Sequence, residues 1–299
     1  MKKLRYAFEA LCLYLLFGLF KLLPPQTASE TGGWITRTLG PRMAVSRKAL
    51  ANIRRALPGL SAEEEQRILR GMWDNLGRVI AEYPHLETIS RDRTVFEGHS
   101  DFDSFFAADE PAVFISAHLS NWEIHGAALL TQFGKKVELT YRAPNNPWSA
   151  RLLHRARTLG GRIPAHPKTR ESGKALLEAL RAGRYLGFLI DQKYNEGVSV
   201  PFFGIEAMTN PVFIKMAQRY KCPVIPVQNI RLDGARFRLK FYEPLRLFGE
   251  DGAPLPVEDV LAEAHAVLEG WIREHPEQWL WLHRRWPSDN DKKKEDEES

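Results

Sequence analysis

The chain has 299 residues, 44% hydrophobic and 26% charged, with a formal net charge of +5. That balance is ordinary for a globular protein of one large or two modest domains, and it excludes wholesale disorder, a collagen-like repeat and a polytopic membrane protein. Two cysteines, Cys12 and Cys222, are too few for a disulfide framework, and a reducing compartment fits them better.

Residues 6–23 read YAFEALCLYLLFGLFKLL behind Lys2, Lys3 and Arg5. The uninterrupted apolar part, residues 10–20, is about half of the roughly 20 residues a spanning helix needs. Counted through Glu9 and Lys21 it becomes a marginal span with polar ends that can snorkel. Leu22, Leu23, Pro24 and Pro25 make a poor signal-peptide cleavage site, so the segment is expected to stay. It is read first as a membrane anchor over residues 1–25, with an interfacial helix and a buried helix as the other readings. Arg37, Arg42, Arg47 and Lys48 offset the basic start, so its orientation stays open.

Residues 43–57 suit an amphipathic helix. Ser61-Ala-Glu-Glu64 is a capping box that opens a longer helix, which Pro84 ends. From residue 94 short apolar runs alternate with helical stretches. The runs are 112–117 (AVFISA), 137–141, 185–190 (YLGFLI) and 223–227 (PVIPV). Helices are expected from Trp122, after Pro147, before Gly183 and from about Asn210. This alternation predicts an α/β layer fold with a largely parallel sheet flanked by helices. Residues 236–242 (RFRLKFY) alternate like a half-exposed strand, and 257–274 form a last long helix. The expected organisation is the anchor, an α/β domain over 26–287 and a charged, disordered tail over 288–299. Six acids and three lysines in that tail leave the body more basic than the whole chain, which favours acidic partners: phospholipid, nucleic acid or an acidic protein.

The segment Ser116-Ala-His-Leu-Ser-Asn-Trp-Glu-Ile-His125 carries the chemistry. A buried strand ends at Ala117, and His118 follows at once. His118 and Glu123 are five apart and cannot share one helical face. They meet only if the His stands on the strand-to-helix turn and the Glu reaches back from the helix start, where the helix dipole favours a carboxylate. A carboxylate on one imidazole nitrogen makes the other a better base, suited to deprotonating an alcohol that attacks a thioester. In open α/β sheets such residues lie beyond the carboxyl ends of the strands, where ligands bind. A structural His remains an alternative at this point. So does metal binding by His118, Glu123 and His125, although their spacing fits neither H-E-x-x-H nor a finger. No G-x-S-x-G, P-loop or G-x-G-x-x-G is present.

HLSNWE resembles the H-x-x-x-x-[DE] block of glycerolipid acyltransferases, and its Asn-Trp-Glu ending resembles the lipid A biosynthesis (lauroyl/myristoyl) branch. Four further blocks agree in order: Tyr141-Arg-Ala-Pro-Asn-Asn-Pro147, Asp191-Gln192, Val200-Pro-Phe-Phe-Gly204, and PEQWLWLHRRW over 276–286. The likeness omits only the tail. Residues 202–209 (FFGIEAMT) depart from the E-G-T block of glycerol-3-phosphate enzymes.

The resemblance implies a glycerolipid-acyltransferase-like sheet and acyl transfer from acyl carrier protein to a hydroxyl of a lipid A precursor. It places the enzyme at the cytoplasmic face of the inner membrane. His118 becomes the general base and Glu123 its orienting partner. Arg142 is assigned to a substrate phosphate or to the oxyanion, and Asp191 and Gln192 to shaping the pocket at a strand end or to capping the turn; for Arg157, on the helix after Pro147, the readings are the same cleft or water. The scheme calls for no metal, no cofactor and no nucleic acid. The same chemistry on another membrane lipid, or a thioesterase using water, remains open. Trp279, Trp281 and Trp286 are read as core packing in preference to an interfacial belt, and His283-Arg-Arg285 as a helix end or a phosphate contact.

Overall fold

The computed structural model describes residues 2–98, 102–108, 110–167 and 170–286; the charged tail lies outside them. The chain opens with helices α1 (Lys2–Leu22), α2 (Pro25–Leu39), α3 (Ser46–Ala56), α4 (Ala62–Glu82) and α5 (Leu86–Asp92). Strand and helix then alternate as β1 (Thr94–Glu97), α6 (Phe102–Ala107), β2 (Val113–Ser116), α7 (Ile124–Phe133), β3 (Val137–Tyr141), α8 (Pro147–Arg157), β4 (Ala165–Pro167), α9 (Arg170–Arg181) and β5 (Tyr185–Leu189). The remainder is β6 (Val198–Phe202), β7 (Ile205–Thr209), α10 (Val212–Tyr220), β8 (Val224–Arg231), β9 (Phe237–Phe241) and α11 (Val257–Glu274).

The main sheet has the order β1-β9-β8-β2-β5-β3-β4. Strands β8, β2, β5, β3 and β4 run parallel, and β9 turns back on β8. This mixed, mostly parallel α/β architecture matches the expectation. Strand β3 and helix α11 have the expected bounds, and the capping box is present. Glu64 Oε2 accepts the Ser61 N–H at 2.7 Å, and Ser61 Oγ accepts the Glu64 N–H at 3.2 Å. Helices α2 and α4 cross through Gly32 and Gly77, where a Cβ on either would collide with the other's backbone.

Strand β2 divides the interior. Its side chains alternate, so Val113, Ile115 and Ala117 join a layer with Trp279, Trp281 and Leu268, while Phe114 joins Val227, Leu239 and Phe241. The closing tryptophans Trp279, Trp281 and Trp286 are all buried, which settles the core reading for them. Residues 198–209, which contain that 202–209 block, form a β6–β7 hairpin that the sequence reading did not anticipate. Its turn needs positive φ at Phe203 (54°) and Gly204 (71°). For a bulky residue this conformation costs on the order of 1–2 kcal/mol. Glu269 Oε1 accepts the Phe203 N–H at 2.6 Å and Arg273 covers the ring at 4.6 Å, contacts that hold the turn.

The spanning anchor is corrected. Among the described residues no helix is long and apolar enough to cross a membrane. The apolar run of α1 is too short: at 1.5 Å per residue, residues 10–20 extend only about 16 Å, against about 30 Å of hydrocarbon. Instead α1 is held along the body. Ala10, Phe17 and Phe20 are buried, Asn146 Nδ2 donates to the Tyr6 carbonyl at 2.9 Å, and Lys21 Nζ donates to the Pro84 carbonyl at 2.9 Å. Its outer face presents Leu4, Phe8, Leu11, Leu15, Leu19 and Leu22 to solvent, a stripe at helical spacing.

Candidate active site

Strands β2 and β5 pair in parallel with Ser116 opposite Leu189. His118 and Asp191 each lie two residues past that pair, so they stand at one height beyond the strand ends. His118 Nδ1 lies 2.8 Å from Asp191 Oδ1, and Asp191 Oδ2 accepts the His118 backbone N–H and the Trp279 Nε1–H, each at 2.8 Å. A carboxylate only accepts, so Nδ1 carries the proton and Nε2 presents a lone pair. Burial, the largest influence on Asp191, raises its pKa. The electrostatic attraction of the His118 ring and these three hydrogen bonds outweigh it and hold the carboxyl well below the usual range. Gln192 Nε2 lies 3.0 Å from His118 Nε2 and donates to the lone pair, where an incoming hydroxyl would donate its hydrogen.

The turn carrying His118 is braced from several sides. Ser120 has φ of 55°, and its N–H donates to the Gln278 carbonyl at 2.9 Å. Leu280 N–H donates to the His118 carbonyl at 3.1 Å, and Asn75 Nδ2 donates to the Ser120 carbonyl at 2.9 Å. Asn121 Oδ1 accepts the Glu123 N–H at 3.2 Å, while its Nδ2 donates to Glu82 Oε2 at 2.8 Å. Glu82 is fully buried and paired with Arg231 from the end of β8. The PEQWLWLHRRW segment therefore acts as a clamp on the turn, and Arg285 within it is buried rather than solvated.

Glu123 is not the partner of His118. Its carboxylate receives Arg157 Nε and Nη2 at 2.6 Å each, Tyr83 Oη–H at 2.6 Å and Trp122 Nε1–H at 3.0 Å. Burial pushes its pKa up, but the Arg157 charge and these hydrogen bonds prevail and lower it. Burial likewise opposes the Arg157 charge, and Glu123 more than compensates. The carboxylate beside His118 is that of Asp191 because β5 lies next to β2, whereas Glu123, at the N-cap of α7, reaches Arg157 of α8. Tyr83, from the segment after α4, is a member of this cluster that the sequence reading missed.

These groups surround a cavity of about 480 Å³, within the range of small-ligand sites. Its wall includes the polar side chains of His118, Trp122, Glu123, Arg142, Arg157, Gln192 and His283 and the apolar side chains of Phe114, Leu129, Val137, Leu139, Leu239 and Phe241. Asp191 stands behind His118 and is not part of the wall. Arg142 is exposed, with no ion pair to a described carboxylate within 4.0 Å. Gly187 keeps the cavity open, since a Cβ there would crowd Leu139 and Val137. Among the described residues no group of three or more His, Cys, Asp or Glu side chains converges as metal ligands would.

A family model for bacterial lipid A biosynthesis acyltransferases matches residues 1–288. The lipid A biosynthesis palmitoleoyltransferase of Escherichia coli (strain K12) is 25% identical over 257 residues, covering 82% of this chain and 78% of the relative. The Shigella flexneri lipid A biosynthesis acyltransferase matches over the same extent at 25%. The Escherichia coli (strain K12) lipid A biosynthesis lauroyltransferase is 31% identical over 121 residues, 39% of this chain and 38% of the relative. A match over nearly the full length leads to one assignment: the chain belongs to the bacterial lipid A biosynthesis acyltransferase family.

Proposed function

We propose that this acyltransferase moves a fatty acyl group from acyl carrier protein to a hydroxyl of a lipid A precursor at the cytoplasmic face of the inner membrane, with His118 as general base. The observation that carries the reading is the His118–Asp191 pair, 2.8 Å apart, with His118 in the wall of a cavity that Phe114, Leu129, Val137, Leu139, Leu239 and Phe241 also line. The acceptor hydroxyl displaces the Gln192 amide and donates its hydrogen to His118 Nε2. Its oxygen attacks the thioester carbonyl carbon, the carbon–sulfur bond breaks, and the proton on Nε2 passes to the leaving thiolate. Glu123 acts as a positioning residue that fixes Arg157 in the wall, where a guanidinium stabilises the oxyanion. Arg142, exposed at the rim, suits a phosphate of the acceptor, and the acyl chain lies against the apolar side chains. The outward stripe of α1, with Lys2, Lys3 and Arg5 at its start, suits a helix lying in the interface of an anionic bilayer.

The test is to incubate the purified full chain with acyl-loaded acyl carrier protein and a lipid A precursor, and to read products by mass spectrometry. The expected result is a precursor heavier by one acyl group, with free carrier thiol appearing only when the acceptor is present. Equal thiol release without acceptor would mean hydrolysis and would overturn the reading.

A further inference from the structure

Helix α3 carries Arg47, Lys48, Arg54 and Arg55 and no acidic residue. Ala49, Ile53 and Ala56 are buried, so the helix packs by its apolar side and turns cations outward. Arg54 is paired with Glu65, whereas Arg47 and Lys48 are exposed and have no ion pair among the described residues. Asn52, buried on α3, donates from Nδ2 to the carbonyls of Trp281 and His283, at 2.8 Å and 2.7 Å. These bonds tie α3 to the closing segment, whose His283 lines the cavity with its ring centroid 5.6 Å from that of His118. Burial above all, then the His118 ring, lowers the His283 pKa to about 4, and the charges of Lys48 and Arg142 push the same way. Both cations are therefore within electrostatic reach of the cavity wall.

The cavity loop at 142–145 is backed differently, since Asn146 beside it donates to the Tyr6 carbonyl of α1. Two walls of the cavity are thus attached to two helices of different character. Helix α1 presents an apolar stripe. The exposed side chains of α3 are Arg47, Lys48, Ala51 and Arg54, with no large apolar group to insert into a bilayer. Cations on a face without such groups suit a folded acidic protein, which they steer and align from the rim of an interface.

Resting on the acyl-transfer reading above, we propose that the outer face of α3 is the docking surface for the acyl carrier protein, with Arg47 and Lys48 meeting carboxylates on an acidic surface of the carrier. The docked carrier stands beside His283, so its thioester arm enters the cavity next to His118, while the lipid acceptor arrives from the α1 side. Docking is non-covalent and leaves the chemistry at His118 unchanged.

The experiment measures steady-state transfer to a lipid A precursor by the full chain. The donor is whichever of dodecanoyl-, tetradecanoyl- and hexadecanoyl-acyl carrier protein the wild type uses best. Arg47→Glu/Lys48→Glu is expected to raise the KM for the carrier about tenfold or more, through two lost rim pairs and new repulsion. Its kcat and its KM for the acceptor should stay within about twofold of wild type. Arg47→Gln/Lys48→Gln, which removes the charges without reversing them, should raise the carrier KM about threefold. Arg47→Lys/Lys48→Arg should keep the wild-type value. An unchanged carrier KM in the charge-reversed variant, or a fall confined to kcat, overturns docking on α3 while leaving acyl transfer intact. Weaker sedimentation with phosphatidylglycerol vesicles at an unchanged carrier KM assigns the face to lipid and also overturns it. Absence of wild-type product from all three donors overturns the acyl-transfer reading, and the inference with it.

Discussion

His118 and Asp191 are joined twice: one carboxylate oxygen takes the imidazole Nδ1–H and the other takes the backbone N–H of the same residue, both at 2.8 Å. The double contact fixes both ring orientation and tautomer, so Asp191→Asn should damage chemistry more than folding. An amide at that position donates as well as accepts and admits the wrong tautomer. A loss of about 10²–10⁴-fold in kcat is expected, the usual worth of positioned acid–base catalysis. Steady-state kinetics with the acyl carrier thioester, alongside thermal melts, checks it.

The second prediction separates Glu123 from the base. Glu123→Gln leaves Arg157 buried without its carboxylate, and losing one partner of a buried pair costs about 3–5 kcal/mol. Denaturant unfolding should show that loss. The double variant Glu123→Leu/Arg157→Met should recover most of the stability and little of the turnover, because an apolar pair fills the space but offers no cation to the oxyanion. A double variant as unstable as Glu123→Gln would contradict the ion-pair account.

His265 gives a pH signature away from the site. Its Nδ1 lies 2.8 Å from the Pro201 carbonyl and its Nε2 lies 3.1 Å from Arg285 Nη2. Burial, with the Arg285 charge adding to it, pushes its pKa down to about 4. The unfolded chain, with an ordinary His near 6.5, binds the proton first as pH falls. Stability is therefore full above about pH 6.5 and declines toward pH 4, by roughly 3 kcal/mol from this residue. Melts across that window should show the decline, and His265→Gln should make it shallower, the remainder including the part from His283, which burial also pushes down to about 4.

The outer face of α1 is testable without turnover. Leu11 and Leu15 are 57% and 65% exposed, so Leu11→Glu/Leu15→Glu should leave the melting temperature within about a degree. Sedimentation with phosphatidylglycerol-containing vesicles should fall about tenfold or more, since each leucine withdrawn from the bilayer forfeits about 1.5–3 kcal/mol. Unchanged sedimentation would remove this face as the membrane contact.

The sequence makes local features legible and lateral ones obscure. The capping box at Ser61, the strand over 137–141, the helix over 257–274 and the placing of His118 just past a strand all follow from residues adjacent in the chain. The partner of His118 does not. Asp191 lies 73 residues away, and only the β2–β5 register, Ser116 opposite Leu189, brings them level. Glu123 invited pairing with His118 through proximity in sequence, yet its place at the N-cap of α7, and the arrival of Tyr83 and Arg157 from separate helical segments, decide otherwise. The β6–β7 hairpin was hidden because Phe203-Gly204 lacks the Asn-Gly or Asp-Gly signal of such turns. The clamp role of the closing tryptophan segment likewise exists only in three dimensions, where Trp279 Nε1 reaches Asp191 at 2.8 Å.

The role of His118 is tested most directly by single-turnover acyl transfer to a lipid A precursor by a folded His118→Ala variant beside wild type. A fall of about 10²–10⁴-fold with an unchanged melting profile is the predicted result. Transfer at the wild-type rate would contradict the assignment of the base.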